Sequence, residues 1–141
     1  MKIKLCGLTR PCDIEAVNEL QPDYIGFVFA KKSRRYVSPE KAEELKAMLA
    51  PGIQAVGVFV NEEPEQIVSL LEAGTIDVAQ LHGQEGEREI RRLRELTDHL
   101  LIQAFRIDTE QDVERANAST ADYVLLDSGA GGTGTVFDWD L

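Results

Sequence analysis

Ile3-Lys4-Leu5-Cys6-Gly7-Leu8-Thr9-Arg10 has the pattern of a short strand that delivers one cysteine into a turn. Its alternate positions are apolar, Gly7 permits a tight exit from the strand, and Pro11 suits the start of a helix. Cys6 is therefore predicted at the carboxyl end of a strand, which is the edge of an α/β sheet where ligands bind. A thiol in that place can be partly ionised and reactive. The alternative is a small buried apolar residue, which most free cysteines are.

The same unit of an apolar strand and an amphipathic helix recurs along the rest of the chain. Strands are predicted at residues 3–5, 24–30, 53–60, 78–81, 101–106 and 123–127. The helices between them carry apolar residues at helical spacing, as Ile67, Leu70 and Leu71 do. Residues 24–30 and 53–60 are apolar on both faces, which is typical of parallel strands covered on both sides. Repeated βα units with no linker between them predict one parallel-sheet domain.

Two architectures fit this order of elements, namely an open doubly wound sheet and a (β/α)8 TIM-type barrel. A doubly wound fold would ordinarily have a glycine-rich phosphate turn after its first strand, where this chain has Cys6-Gly7-Leu8-Thr9. The barrel is therefore favoured. A complete barrel needs eight units, and the pattern supplies six strands and five full helices, so residues 1–141 are predicted to form a single partial barrel domain.

Composition narrows the classes of function. The chain has 141 residues, of which 43% are hydrophobic and 28% charged, and these are ordinary values for one globular domain. A formal net charge of −10 disfavours nucleic acid and anionic membrane surfaces as partners. We expect a cytoplasmic protein, because neither a membrane span nor a signal-peptide pattern is visible. The two cysteines, Cys6 and Cys12, with His82 and His99, match neither a disulfide framework nor a metal-binding spacing.

A basic cluster interrupts this acidic chain after the second strand. Four of the five residues from Lys31 to Arg35 are cationic. A small anionic ligand would need such a local patch, although a solvated run of charge is the commoner explanation of a cluster of this kind.

Several polar residues follow strands and would face one mouth of a barrel. They are Cys6, the Arg34–Arg35 loop, His82, Asp127 and the glycine-rich turn with Gly131, Gly132 and Gly134. A thiol base and a carboxylic acid together can move a proton between neighbouring carbons. Each residue also has a simpler interpretation: Asp127 as a turn former, His82 as a loop cap and the glycines as a flexible turn.

Longer blocks of sequence resemble phosphoribosylanthranilate isomerase, an enzyme family of tryptophan biosynthesis. The matching blocks run in family order across the chain and comprise residues 4–9, 26–29, 33–39, 57–61, 78–83, 125–127, 131–134 and 137–139. The resemblance implies a (β/α)8 barrel. It also implies a cofactor-free Amadori rearrangement of N-(5′-phosphoribosyl)anthranilate to 1-(2-carboxyphenylamino)-1-deoxyribulose 5-phosphate.

The resemblance also suggests a role for each candidate residue. Asp127 corresponds to the general acid that opens the ribose ring, and Cys6 to the general base that removes the C2′ proton. Arg35 matches the arginine that meets the anthranilate carboxylate, for which a guanidinium fork is suited. His82 would line the anthranilate side of the pocket, and the turn containing Gly131, Gly132 and Gly134 would let the backbone approach the substrate.

The sequence departs from the family pattern at its carboxyl end. The family continues for two more βα units, about 60 residues, which carry the phosphate site. In their absence the first and sixth strands would have free edges, and the inward faces of all six strands would be wet. We therefore expect self-association or a complementing C-terminal segment. A catalytically incomplete remnant that binds ligand or serves in assembly, and another phosphosugar barrel enzyme, are the alternative interpretations.

Overall fold

A computed structural model describes residues 1–128, which form an alternating series of strands and helices. The strands are β1 (Lys4–Cys6), β2 (Tyr24–Val28), β3 (Gln54–Phe59), β4 (Val78–Leu81), β5 (Leu100–Arg106) and β6 (Tyr123–Asp127). The helices are α1 (Pro11–Leu20), α2 (Pro39–Met48), α3 (Pro64–Glu72), α4 (Glu87–Leu96) and α5 (Glu110–Asn117). Every element predicted from the sequence is present in this part of the chain.

The strands form one sheet in the order β1-β2-β3-β4-β5-β6, and all neighbouring pairs are parallel. A doubly wound sheet reverses its strand order at a switch point, whereas a barrel keeps the order of the chain. The observed order therefore confirms the prediction of a partial (β/α)8-type barrel, with six strands and five helices among residues 1–128.

Local sequence determines where the helices begin. Proline occupies the first turn of α1, α2 and α3, where its missing N–H is not needed. The Ser38 side chain accepts a hydrogen bond from the Lys41 backbone N–H, and the Thr109 side chain accepts one from Asp112. These are the capping interactions that satisfy the free donors of a helix start.

The main apolar core lies between the outer face of the sheet and the helices. Outward residues of the strands, such as Phe27 and Phe59, are almost fully buried against helix residues such as Leu45, Ile67 and Leu71. Because side chains alternate across a strand, these residues leave the next positions along each strand to point into the barrel.

The inner face is better protected than the sequence predicted. Val56, Val58, Val78 and Gln80 point inward from β3 and β4 and are 0 to 7% exposed, so the expectation that all six inner faces would be wet is wrong. The reason is the curl of the sheet, which brings Lys4 of β1 within hydrogen-bonding distance of Gln80 on β4. The outer strands thereby cover the inner faces of the central ones.

An aspartate precedes each even-numbered strand and is bonded to the strand before it. In each case the aspartate carboxylate accepts the N–H of one residue at 2.8 Å, and the aspartate N–H donates to the carbonyl of that same residue. The three pairs, named here the aspartate clamps, are Asp23 with Ile3, Asp77 with Ala55, and Asp122 with Leu101. The clamps therefore join β1 to β2, β3 to β4 and β5 to β6.

The two outer strands keep one edge without a strand partner within residues 1–128. Outward side chains on these strands are also left uncovered, with Leu5 36%, Val124 45% and Leu126 46% exposed. Apolar side chains beside unpaired N–H and C=O groups favour pairing with a further strand. None of the helices formed by these residues is long and apolar enough to span a membrane.

Candidate active site

A cleft of about 420 Å³ opens at the carboxyl ends of the strands, on the inner side of the sheet. Valine side chains form part of its wall. Its polar lining consists of Lys4, Cys6, Ser33, Arg35, Gln80, His82 and Asp127. This space, called the mouth cleft below, contains four of the residues that the sequence singled out. A larger groove of about 700 Å³ between α3 and α4 is lined mainly by charged surface residues such as Arg92 and Glu65, which already pair with each other.

Cys6 ends β1 and is exposed, so it is not the buried cysteine of the simpler interpretation. Directly after it the chain turns through Gly7, whose φ of +89° is costly for any residue with a side chain. The N–H groups of Gly7 and Leu8 both donate to the carbonyl of Gly26, at 2.9 and 3.2 Å. The turn is therefore fastened to β2, which fixes the position of the thiol.

Asp13 stabilises the segment that follows this turn. Its carboxylate accepts the backbone N–H groups of Thr9 and Arg10, both at 3.0 Å. The hydrogen bond from Thr9 is the main reason why the pKa of Asp13 lies below its usual value of 3.8. An ionised Asp13 thus holds the start of α1 in the place that aims Cys6 into the mouth cleft.

Arg35 reaches the cleft from the loop after β2. Its guanidinium lies 3.5 Å from the Cys6 carbonyl, and its side chain packs so closely on Gly7 that a Cβ there would come within 2.4 Å of the Arg35 Cδ. No acidic side chain among residues 1–128 pairs with Arg35, so its fork is available to an external carboxylate in this part of the chain. The other cations of the basic cluster are exposed and do not line the cleft. Of the cations in this cluster, only Arg35 therefore reaches the cleft.

A row of hydrogen bonds crosses the cleft from β1 to β6. Lys4 Nζ donates to Gln80 Oε1, Gln80 Nε2 lies 2.9 Å from His82 Nδ1, and His82 Nε2 lies 3.4 Å from Asp127 Oδ2. Burial is the largest cause of a lowered Lys4 pKa; Cys6 acts in the opposite direction and Arg35 lowers it further. We call these four residues the cross-cleft row.

The loops on either side of His82 are tied together by one carboxylate. Glu85 accepts the N–H groups of Asn61 and Gly83, each at 2.7 Å, and His82 itself donates its backbone N–H to the Phe59 carbonyl at 2.8 Å. These bonds join the loop after β3 to the loop after β4. The backbone of His82 is therefore held on both sides.

Asp127 ends β6, and its Oδ1 accepts the N–H of Ser128 at 2.8 Å. Its side chain is 24% exposed, and that of His82 is 30% exposed, so both are reachable from the cleft. The structure thus brings Cys6, Arg35, His82 and Asp127 to one cleft. The predicted backbone contacts of Gly131, Gly132 and Gly134 lie outside the described residues.

Sequence reasoning did not single out Lys4 and Gln80 as members of the site. A signal was nevertheless present, since each lies two positions before a candidate residue, Cys6 and His82, on the same strand or directly beyond its end. Positions i and i+2 of a strand share a face, so both side chains point into the barrel.

Comparison with known proteins now identifies the family. A profile of N-(5′-phosphoribosyl)anthranilate (PRA) isomerases matches residues 3–141. The N-(5′-phosphoribosyl)anthranilate isomerase of Clostridium kluyveri is 40% identical over 141 residues, which are 100% of this chain and 69% of that protein.

Solved structures agree with the sequence match. The chain superposes on the phosphoribosyl anthranilate isomerase of Thermotoga maritima with a TM-score of 0.85 and 38% identity, covering 100% of this chain and 69% of that one. A second isomerase structure, in complex with reduced 1-(o-carboxyphenylamino)-1-deoxyribulose 5-phosphate, gives a TM-score of 0.78 at 39% identity over 90% of this chain and 64% of that one. Because the profile matches residues 3–141 and the relative from Clostridium kluyveri is 40% identical over the whole chain, the chain belongs to the N-(5′-phosphoribosyl)anthranilate isomerase family.

Proposed function

We propose that this chain catalyses the isomerisation of N-(5′-phosphoribosyl)anthranilate to 1-(2-carboxyphenylamino)-1-deoxyribulose 5-phosphate, a step of tryptophan biosynthesis, with Asp127 as acid and Cys6 as base. The observation that carries the proposal is that these two residues, from β6 and β1, line the same mouth cleft with Arg35 beside the cysteine. The isomerase structure that holds a reduced form of this product supports the same substrate class.

The first step is the opening of the ribose ring. Asp127 donates its proton to the ring oxygen, the bond between C1′ and that oxygen breaks, and the nitrogen lone pair forms an iminium at C1′. Asp127 is then a carboxylate, with its Oδ1 bonded to the Ser128 N–H and its Oδ2 beside His82. The Ser128 N–H thus donates to the carboxylate that this step produces.

The second step is the removal of the C2′ proton. The Cys6 thiolate takes it, the C–H electron pair forms the C1′–C2′ double bond, and the iminium electrons return to nitrogen. The resulting enolamine becomes the ketone when C1′ gains a proton and the enol oxygen loses one. No electrons enter or leave, so the reaction needs no redox cofactor.

Arg35 and His82 form the binding side of the proposed site. The Arg35 guanidinium lies beside Cys6 and has no acidic partner among residues 1–128, so it can hold the anthranilate carboxylate with two hydrogen bonds, which would place C2′ near the sulfur. His82 lies between the acid and the buried Gln80 and would line the anthranilate side of the pocket. We also propose that the turn with Gly131, Gly132 and Gly134 lets the backbone approach the substrate closely.

The uncovered strand edges support a second proposal about partners. We infer that the free edges of β1 and β6 are closed by further parallel strands, either from a segment carrying two βα units or from another copy of this chain. The exposed Leu5, Val124 and Leu126 face outward and provide the apolar area that helices accompanying such strands would cover. The alternative function, a ligand-binding or assembly module without catalysis, rests on the same open edges.

One assay separates these possibilities. The fluorescence of N-(5′-phosphoribosyl)anthranilate is followed with the chain alone and with a peptide segment carrying the last two βα units of a family member added. A loss of fluorescence in either mixture supports the isomerase, and its absence in both supports the non-catalytic module.

Sedimentation of the chain alone tests whether the free edges of β1 and β6 pair with further strands. A compact monomer whose cooperative melt is independent of concentration would contradict the proposed strand pairing.

A further inference from the structure

The amide of Gln80 occupies an unusual place in the barrel. It is 2% exposed, lies at the inner face of β4, and has a polar partner at each end. A buried amide with both ends occupied is an oriented group, because leaving either end unpaired would cost the full desolvation of that atom. The orientation of the amide therefore couples the hydrogen bond at the Lys4 end to the hydrogen bond at the His82 end.

Lys4 determines which way the amide points. An ammonium group can only donate hydrogen bonds, so the Gln80 oxygen must face Lys4 and the Gln80 NH₂ must face His82. His82 Nδ1 then has to accept, which places the ring proton of neutral His82 on Nε2. That proton points to Asp127 Oδ2 at 3.4 Å.

We propose that Gln80, oriented by Lys4, is a positioning residue that holds His82 as the Nε2–H tautomer so that it donates to Asp127. The catalytic consequence rests on the proposed function: the donor stabilises the carboxylate that Asp127 becomes when it protonates the ribose ring oxygen. The donor is oriented before the proton moves, so no reorganisation is needed during the step.

The alternative arrangement is unfavourable on structural grounds. Rotation of the Gln80 amide would turn its NH₂ toward the Lys4 ammonium and its oxygen toward His82 Nδ1. Two donors would then face each other at the Lys4 end, where the Gln80 amide is almost fully buried and the repulsion is costly. Only a residue with an acceptor at both ends, such as glutamate, allows the opposite histidine tautomer without this conflict.

His99 supplies an internal reference for the test. Its Nδ1 lies 3.2 Å from the Asp77 carbonyl, which can only accept, so neutral His99 must carry its proton on Nδ1. The chain has two histidines, and the structure gives them opposite tautomers. Their ring ¹⁵N resonances are therefore distinguishable in one sample.

The experiment is ¹⁵N–¹H correlation of the histidine rings in the full chain at a pH where both are neutral. We expect a protonated Nε2 for His82 and a protonated Nδ1 for His99. Gln80→Glu, which keeps the volume, should place a proton on His82 Nδ1, and Lys4→Met should give a mixture at His82. Lys2→Met is the control, because Lys2 lies two positions before Lys4 and is not part of the cross-cleft row; this change should leave the tautomers of both histidines unaltered. A protonated Nδ1 in wild-type His82, or a His82 pattern unchanged in Gln80→Glu, would overturn the proposal.

Turnover separates this proposal from the proposed function. In Gln80→Glu and Lys4→Met we expect kcat to fall about 10-fold or more, the scale of one hydrogen bond to a charged group. If the tautomers are as expected but the chain shows no turnover in any mixture, the proposed function is contradicted and the role of Gln80 in setting the His82 tautomer is supported. If turnover depends on Asp127 but the His82 tautomer does not depend on Gln80, the role of Gln80 is contradicted and the proposed function is supported.

Discussion

The sulfur of Cys6 lies directly against Gly26, so closely that a Cβ at position 26 would come within 2.6 Å of Sγ. The two residues are opposite each other in the register of β1 and β2. The space that the sulfur occupies is thus the space that a side chain on β2 would need. The position of the proposed base depends on a glycine in the neighbouring strand.

Gly26→Ala should therefore displace the thiol while leaving the barrel folded. We expect kcat to fall about 100-fold, the scale of a 1 Å misplacement of a reacting group. Gly86→Ala is the matched control, because a Cβ at position 86 would lie 3.9 Å from Glu89 Oε2, which is an ordinary van der Waals distance. Circular dichroism checks the fold of both variants, and equal rates for the two would contradict the argument.

Removing either member of the proposed acid/base pair, Cys6 or Asp127, should strongly reduce turnover. Cys6→Ala and Asp127→Asn should each lower turnover by about 100-fold or more, measured in whichever mixture the unmodified chain is active. Both side chains are partly open to solvent, so neither change creates a core cavity. A near-normal rate in either variant would remove that residue from the mechanism.

Arg35→Lys should weaken substrate binding more than it slows the chemistry. A lysine ammonium cannot form the two parallel hydrogen bonds that a guanidinium offers to a carboxylate, so KM should rise while kcat changes less. Arg34→Lys is the control, since Arg34 is exposed and does not line the mouth cleft. A fall confined to kcat would assign Arg35 to the chemistry instead.

The two cysteines should differ in protection rather than in access. Both are exposed, so a small alkylating agent should modify both, and only Cys6, which lines the mouth cleft, should be protected by the reaction product. Mass spectrometry of the modified peptides measures this difference. Cys12→Ser should leave turnover unchanged; protection of both thiols, or of neither, would argue against binding at the cleft.

The aspartate clamps should differ in strength according to the burial of the partner. Asp77→Ala leaves the N–H of Ala55 unpaired at a residue that is 0% exposed, and it also removes the partly exposed ion pair with Lys46; it should lower the free energy of unfolding by about 1–3 kcal/mol, mainly through the unpaired N–H. Asp23→Ala should cost less, because Ile3 is 49% exposed and its N–H can bond to water. Chemical denaturation gives both values, and equal losses would mean that partner burial is not the cause.

The sequence predicted the elements well because each one carries its own signal. The signals are local: strands that are apolar on both faces, prolines in first helical turns and the Thr109 cap each involve only a few neighbouring residues. The bounds of the strands and helices could therefore be predicted from the sequence pattern. The strand order followed from the absence of a phosphate turn after Cys6. These features need no knowledge of distant contacts.

The errors concern contacts between residues far apart in the chain. Lys4 and Gln80 are separated by 76 positions, and their contact depends on how far the sheet curls, which no local pattern records. The same curl explains why Val58 and Gln80 are buried although the described sheet has six strands rather than the eight of a closed barrel. Closure of a sheet is a property of the whole assembly of strands, and sequence periodicity reports only each strand's own faces.

The spacing of the aspartate clamps gives the sheet a modular construction. Clamps join β1 to β2, β3 to β4 and β5 to β6, so a chain divided after α2 or α4 would leave all three intact. A division after α1, α3 or α5 would separate the two residues of one clamp. The natural building block is therefore a pair of βα units, and rearrangements that shuffle, duplicate or permute this barrel should succeed more readily in steps of two than in steps of one.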